Sequence, residues 1–287
     1  MTNKVDKFFN IINNKKFQDN LKKINLLIAF FSLVFLIRLF SIESINIHKI
    51  LNISIVDLIF LTTIYFNNAY VWTKFTNLNS KFNYKVLTDW AFSQIGKYVP
   101  GGIGLTLIRL NQDGDENKTK KIIFGLAEEQ FLYPALSLPT LIFVINFINY
   151  EYFILIYVVT QIIFVYSFKY FYLLNKRIKK HSIINFTKLI IFSLLSSNLL
   201  VFYIFYNQNI EDYLFNGLIY LIAANIGLFF VGVPAGVGVR EAIFFLLIGS
   251  FNTAAEYVEV LIYIRILYLV VDIIFGLYGY FIKLKNR

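Results

Sequence analysis

Charged side chains stand inside otherwise apolar stretches at Lys97, Arg109, Glu128, Glu129, Arg240, Glu241, Arg265 and Asp272. An ion in such surroundings is costly unless it faces a polar cavity or another ion, so several in one chain predict a polar interior site. The chemistry on offer is anion binding. Guanidinium and ammonium donors beside backbone amides freed at a helix break suit a group such as a phosphate. The competing structural reading pairs these charges off as salt bridges. Arg265 and Asp272, seven positions apart, share a helix face but lie about 10 Å apart along the axis, so their partners are expected on other helices. For Arg240 and Glu241 the structural reading is a helix start, with Glu241 at the positive end of the dipole and Arg240 reaching outward. The sequence leaves both readings of that pair open.

The elements that position these charges are two matching hexapeptides, Val99-Pro100-Gly101-Gly102-Ile103-Gly104 and Val233-Pro234-Ala235-Gly236-Val237-Gly238. The chain has only four prolines, and two of them open these hexapeptides, which suggests an internal repeat. Proline lacks an amide hydrogen and glycine readily takes φ > 0, so each should break a helix. Broken backbone is tolerated in hydrocarbon only where it is buried in protein or lines a wet cavity. Both are therefore read as paired breaks around one polar site.

Composition sets the surroundings. The chain is 58% hydrophobic with 32 Phe and 20 Tyr, only 15% charged, and has a mean hydropathy of +0.64. That is the profile of an all-α, polytopic helical membrane protein. The net charge of +10 resides largely in lysines between apolar runs, where the positive-inside rule puts them, so no nucleic-acid partner is expected. Without cysteine, disulfides, thiolate metal sites and a Cys nucleophile are excluded.

Residues 1–23 form a basic, cytoplasmic N-terminal segment, read either as an amphipathic helix on the anionic leaflet or as a solvated tail. It lacks a signal-peptide pattern, so the first apolar run is expected to remain as an anchor. One transmembrane domain is expected over 24–287, with repeat halves at about 24–147 and 152–287. About seven spans are predicted, near 24–40, 50–71, 122–147, 152–174, 183–206, 213–231 and 258–282. Asp57, early in the second, sits either near the interface, the favoured placement, or facing the bundle. Basic flanks make the first hexapeptide re-entrant, whereas the basic C-terminal tail favours residues 233–256 crossing as a broken segment. In the third span Glu128 and Glu129 diverge by about 100°, so one of them faces the interior.

Enzyme motifs are missing. His48 and His181 lie in loops on opposite sides, and neither hexapeptide has the Lys-Ser/Thr of a phosphate loop. Neither a catalytic residue, a metal site nor a cofactor is predicted.

Lys97-Tyr-Val-Pro-Gly-Gly-Ile-Gly104 with a later Arg and an intramembrane Glu, then Pro234-Ala-Gly-Val-Gly-Val-Arg-Glu-Ala242 and Arg265, resemble the lysylphosphatidylglycerol synthase transmembrane, or flippase-like, family. The resemblance covers most of the chain. It implies a multi-pass protein of the cell membrane, N-terminus cytoplasmic, that moves a lipid between leaflets and is not itself an enzyme. Its partners would be an anionic phospholipid or lipid-linked glycan, an envelope glycosyltransferase or synthetase, and a second copy of itself as a homo-oligomer. Motif position makes Glu129 the family's acidic residue. The expected site then comprises Lys97, Pro100, Gly101, Gly102, Gly104, Arg109, Glu129, Pro234, Gly236, Gly238, Arg240, Glu241 and Arg265. Two other classes stay in view: a membrane-embedded lipid-modifying transferase, and a non-transporting accessory subunit of an envelope glycan or glycolipid pathway.

Overall fold

The computed structural model describes residues 47–76, 84–98, 105, 108–109, 137–139, 141–142, 153–173, 180–227, 238–248 and 254–285. Among them the secondary structure is entirely helical. In chain order the helices are α1 (Ile47–Leu51), α2 (Ile55–Thr76), α3 (Tyr84–Ser93) running into a 3₁₀ turn (Gln94–Tyr98), α4 (Phe153–Leu173), α5 (Lys180–Asn207), α6 (Tyr213–Gly227), α7 (Val239–Ile248) and α8 (Ala254–Lys285).

The longest helix, α8, is the strut against which α3, the 3₁₀ turn, α1 and α2 pack. A second group is formed by α5 with α4 and α6, and by α7 against α6. The α2–α5 contact joins the two groups. Aromatic residues fill both. Tyr65, Trp90 and Phe275 meet between α2, α3 and α8, while Phe205, Tyr220 and Phe244 meet between α5, α6 and α7.

Local chemistry sets the ends. The α5 terminus is a Schellman turn: Ile210 N–H bonds Phe205 C=O and Asn209 N–H bonds Tyr206 C=O. Asn209 takes the left-handed position with φ 57°, a conformation its short polar side chain tolerates. The stretch expected as one span from 50 to 71 is two helices, because residues 52–54 interrupt it. Ser54 caps α2, its carbonyl accepting from Leu58 N–H.

Two helical stretches, Lys188–Asn207 and Glu256–Lys285, are long and apolar enough to cross a bilayer by length and composition. The expected count of about seven is thus not reproduced among the described residues. The spans expected at 24–40 and for most of 122–147 lie outside them.

Candidate functional site

Along α8, Arg265, Tyr268 and Asp272 follow one another at helical spacing on one stripe. One end of the stripe meets the 3₁₀ turn that precedes the first hexapeptide, and the other meets the start of α7, which follows the second. Asp272 is 3% exposed and accepts three hydrogen bonds. Its Oδ1 receives the Tyr65 hydroxyl at 2.7 Å and Lys97 Nζ at 3.1 Å, and its Oδ2 receives the Tyr98 hydroxyl at 2.8 Å. Lys97 and Tyr98 come from the 3₁₀ turn that leads into the first hexapeptide.

Arg265, about two turns toward the helix start, donates to Glu241 of α7 through Nε at 2.7 Å and Nη2 at 3.2 Å. The same carboxylate takes Gly238 N–H at 2.7 Å. Gly238 has φ 84° and its carbonyl accepts from Ala242 N–H, so this last residue of the second hexapeptide caps α7. Glu241 reaching back to that N–H is one half of a capping box. Glu241 thus starts a helix, as its structural reading has it, and also neutralises the partly buried Arg265.

The two ends form one cluster. Tyr98 lies within electrostatic range of Asp272, Arg265 and Arg240, and Tyr268 within range of Tyr220, Arg240, Asp272 and Arg265. Arg240 itself is laid across α6. A Cβ placed on Gly227 would fall 2.5 Å from its Cγ and 3.4 Å from its Nε, so the glycine makes the room. Arg240 interacts with Tyr220, but its Nε is buried without a hydrogen-bond partner. Among the described residues of the cluster, three cations thus face two carboxylates, with Lys97 and Arg265 paired and Arg240 left over.

Of the residues expected from sequence, the structure brings together Lys97, Gly238, Arg240, Glu241 and Arg265. Arg109 is held elsewhere. It is 2% exposed, donates from Nε to Ser93 Oγ at 3.0 Å, and stacks its guanidinium over Trp72 at 4.0 Å. Those contacts fasten it to the α2–α3 packing. Pro100, Gly101, Gly102, Gly104, Glu129, Pro234 and Gly236 lie outside the described residues. The tyrosines at 65, 98, 220 and 268 were not anticipated. Tyr98 and Tyr268 carried a signal, one beside Lys97 and the other within helical reach of both Arg265 and Asp272; Tyr65 and Tyr220 carried none.

Asp57, expected near the interface or facing the bundle, is fully buried. It accepts from the Tyr263 hydroxyl, whose oxygen in turn accepts Ser54 N–H at 3.2 Å. Tyr263 thereby bridges Ser54 and Asp57 at the start of α2. Comparison with protein-family models, with curated proteins and with solved structures finds no match to this chain.

Proposed function

We infer that the chain is a multi-pass, flippase-like protein of the cell membrane with a cytoplasmic N-terminus, moving an anionic phospholipid or lipid-linked glycan between leaflets. The observation that carries this reading is Arg240. A guanidinium whose Nε is buried and unpartnered, beside two cations already neutralised, favours an anion that is not part of the described chain. Support also comes from the surface. Large apolar side chains stand exposed on α2, α4, α7 and α8, among them Ile59, Ile163, Leu246 and Ile274, as they do where the surroundings are acyl chains. The motif resemblance to the lysylphosphatidylglycerol synthase transmembrane family points the same way and is part of the proposal.

In this reading Arg240 receives the phosphate and Arg265 and Glu241 hold α7 against α8. Only the head group needs a polar path; the acyl chains stay in lipid. The reading assigns no catalytic step to the chain, so an envelope glycosyltransferase or synthetase would do any chemistry. Purified protein in proteoliposomes with a fluorescent anionic lipid tests it. Arg240→Met should lower translocation by about 10-fold or more, in line with loss of a charge-assisted contact of ~1.5–3 kcal/mol. An unchanged rate in a folded variant excludes Arg240 from the path.

A further inference from the structure

We propose that Lys97 is a releasable second arm of the anion site: when a singly charged phosphodiester settles on Arg240, Lys97 leaves Asp272 and joins it. The proposal rests on the Arg240 reading and adds what regulates that site. It follows from how differently the two ion pairs of the cluster are built.

Arg265 and Glu241 are joined through two nitrogens, and Glu241 also caps α7. Breaking that pair would strand a buried carboxylate and uncap a helix, so it is a fixed clamp. The Lys97–Asp272 pair is asymmetric. Asp272 is nearly inaccessible and has two donors besides the lysine, Tyr65 and Tyr98, one on each oxygen. Lys97 is 32% exposed and holds Asp272 through a single contact at 3.1 Å. If Lys97 departs, Asp272 keeps a hydrogen bond on each oxygen and is not stranded. A partly exposed lysine pair contributes little to stability, and the flexible stem of lysine suits it to changing partners. The Tyr65 ring, 5.2 Å below Nζ, offers the ammonium a face to slide over.

The charge balance fits a monoanion. The described cluster carries one cation more than carboxylates, so one phosphodiester charge neutralises it whichever anion Lys97 faces. Asp272 and the arriving phosphate then compete for Lys97, and Tyr65 and Tyr98 set the terms by how well they satisfy Asp272 alone.

The test is equilibrium binding of short-chain phosphatidylglycerol, whose only charge is its phosphodiester, to detergent-solubilised full-length protein by calorimetry. Inorganic phosphate serves as the comparison that separates a lipid head group from free phosphate as the source of the anion. Asp272→Asn should tighten binding about 5-fold by freeing Lys97, and Lys97→Met should weaken it about 5-fold. The double variant should match Lys97→Met. Tyr98→Phe, which makes Asp272 depend more on Lys97, should weaken binding while Lys97 is present and have no effect in Lys97→Met. Should Asp272→Asn not fold, the Tyr98→Phe comparison decides alone. If Arg240→Met abolishes binding but Asp272→Asn and Tyr98→Phe leave it unchanged, the releasable arm is wrong and the anion site stands. If Arg240→Met changes nothing, the anion site itself is wrong.

Discussion

Gly227 decides where Arg240 can lie. Because the guanidinium stem crosses α6 at that position, a methyl group there meets Cγ, which cannot swing aside as a side-chain tip would. Gly227→Ala should therefore push Arg240 out of the cluster while leaving the helix itself no worse, since alanine is the better helix former by about 1 kcal/mol. The expected outcome is a loss of anionic-lipid binding close to that of Arg240→Met, with a melting temperature near that of the unaltered protein. Binding at full strength would show that Arg240 acts from another rotamer. The charges of this site were legible from sequence because an ion in an apolar run is anomalous in itself. Who pairs with whom was not, since Lys97 and Asp272 stand 175 positions apart and come from different helices. Tyr65 and Tyr220 were hidden for a different reason: in a chain with 20 tyrosines nothing marks these two as members of the cluster.

At the scale of elements, the cluster exists because α3 and its 3₁₀ turn lie close against α8. Gly279 permits this. A Cβ there would fall 2.6 Å from both Thr88 O and Phe92 N, which are backbone atoms and cannot yield without moving α3. At Gly276 the obstacle would be the Ile95 side chain, within 2.4 Å. Gly279→Val should cost roughly 1–3 kcal/mol by overpacking and should also weaken lipid binding, because Lys97 and Tyr98 ride on the displaced segment. Thermal unfolding and binding measured together check this, and a variant that loses neither would mean the helices meet less closely. At the other end of the strut, Tyr263 serves two partners at once. Tyr263→Phe leaves Ser54 N–H and one oxygen of Asp57 without it, which should destabilise the protein by about 1–3 kcal/mol without changing binding at Arg240. The helices α4 and α5 lie close to where unbroken apolar runs place them. The break before α2 is marked only by Asn52 and by Ser54 with Asp57 three positions on, the spacing of a helix start, whereas the Tyr263 hydroxyl that takes Ser54 N–H comes from 209 positions away.

For the whole molecule, the question is which surface meets lipid. Exposed Ile163 on α4, Leu246 on α7 and Ile274 on α8 would be an aggregation hazard in water and are at home among acyl chains. The proposed topology puts them in the bilayer, the α5–α6 turn outside the cell and the end of α8 in the cytoplasm, where Lys283 and Lys285 belong. A chain without cysteine makes this directly measurable, since every introduced thiol is unique. In intact cells a membrane-impermeant maleimide should label Glu211→Cys, at the exposed α5–α6 turn, and should reach Leu284→Cys only after permeabilisation. Ile163→Cys, Leu246→Cys and Ile274→Cys should stay unlabelled in both conditions and react once the protein is denatured. Labelling of Leu246→Cys or Ile274→Cys in sealed membranes would place α7 or α8 in water, and with it the charged cluster. The same reagent reaching Leu284→Cys from outside would invert the C-terminal half and make residues 233–256 re-entrant, because a segment that turns back leaves the last helix to end on the opposite side.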